Sequence, residues 1–147
     1  MQDSIPTARE ISEQMLETTG RALMTGDFEL FAGCFAYPQE LQTFIGRRIL
    51  RTEEDLNDVF RAVRTHYMKL GVTELVRTCV EAAYKDDNTI EAVHETRLLS
   101  GTTIVQAAFP VMSTLRYIDG RWQVKGTTYA MPSDEDSNNS LLGRLTP

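Results

Sequence analysis

A chain of 147 residues that is 41% hydrophobic, 24% charged and 8% aromatic has the composition of one ordinary globular domain, outside the disordered, collagenous and membrane classes. Its formal charge of −6 repels phosphate backbones, and its basic residues form no long stripe interleaved with aromatics, so no nucleic-acid partner is expected. The two cysteines, Cys34 and Cys79, lie far apart with no CxxC or Cys/His spacing, which excludes a disulfide framework or a zinc site and leaves two buried reduced thiols.

The opening Met1-Gln2-Asp3-Ser4-Ile5-Pro6 has neither a basic nor an apolar leader region, and no stretch approaches the length of a membrane span. A cytoplasmic location with no membrane partner is the expectation. Residues 7–25 carry Ile11, Met15, Ala22 and Leu23 on a helical stripe that Gly26-Asp27 ends. Asp27 then caps a short second helix with a greasy face of Phe28, Phe31, Ala32 and Phe35, and Pro38 is expected to stop it. Residues 41–51 alternate around Gly46-Arg47 as a small hairpin. Thr52-Glu53-Glu54-Asp55 resembles a capping box, opening a third helix whose apolar positions are Leu56, Val59, Phe60, Val63, Tyr67 and Leu70, with Gly71 at its C′ position.

From Thr73 to Met131 the period is two, and the turn residues set a register. A turn at Asp119-Gly120 places Tyr117 opposite Trp122, Leu115 opposite Val124, Ser113 opposite Gly126 and Val111 opposite Thr128. A turn at Ser100-Gly101 places Leu98 opposite Thr103, Thr96 opposite Val105, His94 opposite Ala107 and Ala92 opposite Phe109. A loop at Asp86-Asp87-Asn88 pairs Tyr84 with Ile90, Ala82 with Ala92 and Val80 with His94. All these residues share one apolar face. The other face carries Glu81, Glu91, Glu95, Arg97, Gln106, Arg116, Gln123 and Lys125, but also Val93, Leu99, Ile104, Ala108 and Met112, too apolar to be wholly wet. Pro110, inside the longest strand, calls for a bulge or bend. Residues 1–131 thus form one domain, and residues 132–147 a polar acidic tail ending in Leu141, Leu142 and Leu145.

Helices, a hairpin, a further helix and four long antiparallel strands closing on a Trp-bearing strand after an Asp-Gly turn form an order that resembles the NTF2-like superfamily, with its SnoaL-like and cystatin-like members. The likeness rests on residues 22–35 around Gly26-Asp27-Phe28, on residues 41–60, and on Leu115-Arg116-Tyr117-Ile118-Asp119-Gly120-Arg121-Trp122-Gln123-Val124. It implies an α+β fold in which a curved antiparallel sheet wraps around helices as a cone, with a pocket at the wide end and a homodimer formed through the sheet's outer face. Superfamily members include isomerases, dehydratases, cyclases and hydrolases as well as transport factors and accessory subunits, so the fold implies no single function.

His94 stands out because the register turns it inward, between small neighbours Ala92 and Thr96, where an imidazole can act as general base, general acid or hydrogen-bond donor. A core histidine satisfied by a hydroxyl or carbonyl is the plainer alternative. Acid-base members of the superfamily pair such a group with a carboxylate. Here the inward strand positions offer only Thr78, Tyr84, Thr96, Ser113, Tyr117 and Thr128, which are poor bases, and a carboxylate would have to come from Glu40, Glu54 or Asp58. Tyr67, beside His66 on the third helix, is placed to hang its phenol into the cone. Arg47, Arg48, Arg51, Arg61 and Arg64 form a local basic cluster that reads as a solvated face or as an anion site. Cys79 falls on the outward side, and no phosphate loop, nucleophile elbow, cofactor motif or metal motif is present.

The expectation is a homodimer whose cone binds a small apolar or amphipathic molecule through Tyr67, Thr78, Tyr84, His94, Thr96, Ser113 and Thr128. The missing carboxylate weighs against an enzyme. The alternatives are a lyase or isomerase using His94 in proton transfer, and an accessory protein that grips another chain through its outer sheet or residues 141–145.

Overall fold

The structure, a computed structural model, describes residues 5–43 and 46–130. The expected tail, and the reversal of the hairpin, lie outside the described residues. Helix α1 (Ala8–Thr25) starts on a capping box in which the Thr7 hydroxyl accepts from the Glu10 N–H at 3.1 Å and the Glu10 carboxylate accepts from the Thr7 N–H at 3.3 Å. It ends at Gly26, whose φ of 77° is left-handed and whose N–H donates to the Ala22 carbonyl. Asp27 caps α2 (Phe28–Ala32), which lasts little more than one turn. Pro38 is not what stops it. The chain already turns at Gly33 into strand β1 (Phe35–Thr43), and Pro38 lies inside that strand, in a stretch between Phe35 and Glu40 that has no paired neighbour in β6, so no ladder bond from its missing N–H is lost.

Gly46 pairs with Thr43 and Arg47 with Gln42, so Gly46-Arg47 belong to strand β2 (Gly46–Leu50) and are not the turn expected there. Helix α3 (Glu53–Leu70) opens on the Thr52 and Asp55 box, where N–H groups of Arg51 and then Thr52 donate to the Asp55 carboxylate and hold its pKa below the ordinary value. It closes on left-handed Gly71.

Strands β3 (Glu74–Asp86), β4 (Thr89–Ser100), β5 (Thr103–Ile118) and β6 (Arg121–Tyr129) complete one six-stranded sheet in the order β2-β1-β6-β5-β4-β3. Every pairing is antiparallel except that of β1 with β6. The inner face packs against α1 and α3. One core cluster joins Leu23, Phe31, Leu56, Phe60, Phe109 and Val111, and a second joins Ala8, Ile11, Ile90, Ala92, Leu115 and Val124. No described helix is long and apolar enough to cross a membrane.

Irregularities in the ladders correct the expected register. In β3 the pairs Tyr84–Ile90 and Ala82–Ala92 occur as expected, but the register shifts at Val80, and Cys79 takes the place opposite His94. Every residue of β3 before the shift therefore changes face. Cys79 is buried and Val80 exposed, and Arg77 comes in while Thr78 goes out. The two carbonyls at the shift, Cys79 O and Val80 O, accept from the Arg9 guanidinium at 2.8 and 3.0 Å.

Between β4 and β5 the loop is Gly101-Thr102, because Ser100 pairs with Thr103, and two further irregularities flank Leu98. Thr96 thus meets Phe109 instead of Val105, His94 meets Val111 instead of Ala107, and Ala92 meets Ser113 instead of Phe109. Each displacement is even, so His94 and Thr96 keep their inward face. Gln106 meets Leu98 and joins the inner lining, not the outer face. Between β5 and β6 the Asp119-Gly120 turn has positive φ at both residues, and Tyr117–Trp122 and Leu115–Val124 pair as expected. A shift after Leu115 then pairs Ser113 with Thr127 and Val111 with Tyr129, which sends Thr128 outward. Strand β5 continues through Pro110, which pairs with Glu95. The extra residues of the two irregularities sit on β5 itself, at Ala107–Ala108 and at Val105, opposite the part of β4 around Leu98, so the expected bulge lies just before the proline.

Candidate functional site

Between α1, α3 and the inner face of the sheet lies a cavity with about 120 Å³ open to the centre of a water molecule. On that measure one water takes roughly 10–15 Å³, so the space suits a molecule of about ten heavy atoms. Met15, Leu23, Val59, Val63 and Phe109 make much of the wall. The polar groups gather around the middle of β3 and β4, with Arg77, His94 and Thr96 from the strands, Thr19 from α1, Tyr67 from α3 and Tyr129 from the end of β6.

Of the residues expected in the pocket, His94, Thr96, Ser113 and Tyr67 line the cavity. Thr78 does not, since the β3 shift turns it to solvent. Thr128 lies in an outer groove with Glu40 and Met112. Tyr84 shares the inner face but sits at the end of the sheet, where its ring meets Trp122 edge-on at 5.9 Å and its hydroxyl donates to the Pro6 carbonyl at 2.7 Å. Tyr117, also expected inward, packs on Trp122 and is exposed. The carboxylates weighed as partners for His94 stay outside: Glu40 pairs with Arg47 at 3.3 Å, and Glu54 and Asp58 are exposed. The basic cluster is divided as well. The Arg64 guanidinium donates to the Leu23 carbonyl and lies over the Phe60 ring, while Arg51 and Arg61 face solvent.

Arg77 is the residue that pattern reading missed. Its Nη1 donates to the Leu16 carbonyl at 3.1 Å and to the Thr19 hydroxyl at 2.6 Å, and its Nη2 lies 3.4 Å from His94 Nε2. A guanidinium has donors only, so this contact requires His94 Nε2 to accept and assigns the ring proton to Nδ1. His94 is 4% exposed. Burial first, and the neighbouring Arg77 charge second, lower its pKa from 6.5 to about 3, so the ring is neutral at neutral pH. Burial raises the Tyr67 phenol to about 12 and raises Tyr129 as well, both against the pull of Arg77. The same burial lowers the Arg77 pKa, with the two phenols opposing, yet an arginine keeps its proton in proteins. The site therefore holds one fixed positive charge among neutral polar groups. Among the described residues no Asp or Glu lines the cavity, and no cluster of His, Cys, Asp and Glu is able to hold a metal ion. His66, buried on α3, is a further lining residue hidden behind the expectation that Tyr67 pointed inward more directly.

No protein-family model matches the sequence, and no curated protein does. Solved structures do match. An NTF-2 like protein of unknown function from Shewanella oneidensis MR-1 aligns with a TM-score of 0.64 at 16% identity over 82% of this chain and 96% of its own. A ketosteroid isomerase-like protein from Erwinia carotovora atroseptica SCRI1043 aligns at 0.62 and 15% identity over 87% of this chain and 100% of its own. A putative dehydratase from the NTF2-like family from Streptomyces avermitilis aligns at 0.63 and 10% identity over 84% and 95%. The chain has the NTF2-like cone fold, as the element order suggested. At these identities the likeness extends to the fold alone.

Proposed function

We propose that this chain binds a small, largely apolar molecule inside its cone, oriented by the polar group around Arg77 and His94. The observation that carries this reading is the cavity itself: an apolar wall with a few convergent polar side chains at one place is the usual form of a small-molecule site. Two structural neighbours bear enzyme names, ketosteroid isomerase-like protein and putative dehydratase, and proton transfer by His94 is the rival reading. It is disfavoured here. An imidazole with a pKa of about 3, with no carboxylate beside it among the described residues, is a weak base, and its neutral ring is too weak an acid to give up the Nδ1 proton near neutral pH. Recognition, not proton transfer, is what these groups are set to do.

The same reading includes self-association through the outer face of the sheet, where the cross-strand pairs Val93–Met112 and Leu99–Ile104 place apolar side chains outward and Met112 and Ile104 are 46% and 56% exposed.

Ala92 lines the cavity from β4, so Ala92→Leu extends a side chain into the space. A panel of small amphipathic molecules is expected to include some that raise the melting temperature of the wild type; a ligand at a hundred times its Kd contributes about 2.7 kcal/mol, or roughly 5–10 °C for a chain of this size. Those shifts should vanish in Ala92→Leu. Equal shifts in both proteins would place binding elsewhere, and a panel silent on the wild type would remove the reading.

A further inference from the structure

Resting on that cavity as a ligand site, we propose that its ligand is an amphipathic monocarboxylate, with the carboxylate held by the Arg77 guanidinium and the apolar body lying along Met15, Leu23, Val59 and Phe109.

The reason lies in charge that is not balanced. Arginine is seldom drawn out of water without a carboxylate. Arg77 is half-buried between this cavity and an outer groove with Glu13, Glu17 and Glu74, of which Glu13 and Glu17 pair with Arg9 and Arg21 instead. The recorded partners of Arg77 are a carbonyl, a hydroxyl and a neutral imidazole, all uncharged. The other ionisable groups acting on it are the Tyr67 and Tyr129 phenols, and burial keeps both protonated. Acid is not scarce in this chain: it has 21 Asp and Glu residues, yet no acidic residue is among those lining the cavity. A counter-charge brought by the ligand balances the site, and a planar guanidinium fork matches a carboxylate in both shape and charge.

A purely structural role accounts for part of this pattern, since Nη1 ties β3 to α1 through Leu16 and Thr19. It does not account for Nη2, which faces His94 on the cavity side. Bound to neutral imidazole, that nitrogen keeps a weak partner that a carboxylate is able to outbid. The size fits one charge and a short tail. A space for about ten heavy atoms takes phenylacetate or octanoate and excludes a dinucleotide or a coenzyme A thioester.

The test uses matched pairs, phenylacetate with phenylacetamide and octanoate with octanamide, titrated by calorimetry at neutral pH into the wild type, Arg77→Met and Arg77→Lys. The wild type should prefer each acid to its amide by about tenfold or more, the equivalent of one charge-assisted contact. Arg77→Met should lose that preference while keeping its affinity for the amides, and Arg77→Lys should retain part of it. A merely structural arginine would leave the ratio of acid to amide unchanged. Equal wild-type affinity for acids and amides, or a preference that survives in Arg77→Met, overturns the carboxylate proposal and leaves the cavity reading standing. If neither acids nor amides bind the wild type at millimolar concentration, the cavity reading falls and this proposal falls with it. Should Arg77→Met fail to fold, the wild-type ratio and Arg77→Lys decide the matter.

Discussion

Replacing His94 with Gln should make the protein less sensitive to mild acid. The imidazole is buried against the Arg77 guanidinium with a pKa of about 3, whereas in the unfolded chain it titrates near 6.5. Because the folded pKa is the lower one, the unfolded state takes up the proton first, and folding loses stability as pH falls from 6.5 toward 3. At pH 5, about 1.5 units below the unfolded value, that loss is roughly 2 kcal/mol, at 1.36 kcal/mol per unit. Gln keeps an acceptor for Arg77 and cannot be protonated. Urea unfolding of wild type and His94→Gln at pH 7, 6 and 5 should therefore show the variant's relative stability rising by roughly 2 kcal/mol across the range. Taking the difference between the two proteins cancels the other titrating groups common to both. Parallel pH curves would refute the reasoning, as would an NMR titration placing the His94 midpoint above about 5.

Gly20 lies inside α1, and a Cβ there would meet the Arg77 side chain at 3.6 Å, an ordinary contact, so Gly20→Ala should stabilise the fold by about 0.5–1 kcal/mol in the same urea assay. Met112→Asp places a charge in the exposed apolar patch of β5; if two copies meet there, light scattering should show a dimer for the wild type and a monomer for the variant, and a wild-type monomer at micromolar concentration ends that proposal.

How much of this was legible in the sequence depends on the kind of signal involved. Caps and turn residues act locally, so Gly26-Asp27, Thr52, Gly71 and Asp119-Gly120 marked their boundaries where the structure has them. Strand facing is different, because one extra residue in a ladder inverts everything beyond it. His94 and Thr96 keep the expected face because their partners move by an even number of positions. Thr128 does not, because one shift lies between it and the turn from which its register was counted. Nor does Thr78, because the shift at Val80 displaces it, even though Asp86, expected in the loop, pairs with Thr89 and a second shift at Lys85 restores the expected Tyr84–Ile90 pair. Gly126, next to the extra residue Lys125, is a mark for the shift in β6, whereas no Gly or Pro stands beside Val80 to mark its own. For the same reason Arg77 was invisible: in sequence it is one more charged residue on a strand with an outer face full of them. Pro38 misled in another way, since a residue that ends helices is also at home in a strand segment with no paired neighbour.

The register shift at Val80 gives this fold an unusual lever. Removing one residue from that part of β3 would rotate the strand's first half by a face, bringing threonine to the interior in place of arginine, with no change to any side chain already there. In sheets of this kind, an insertion or deletion of a single position is thus a route from a charged interior to a neutral one, and proteins sharing the cone can differ in what they accept by the count of residues in a strand as much as by their identity.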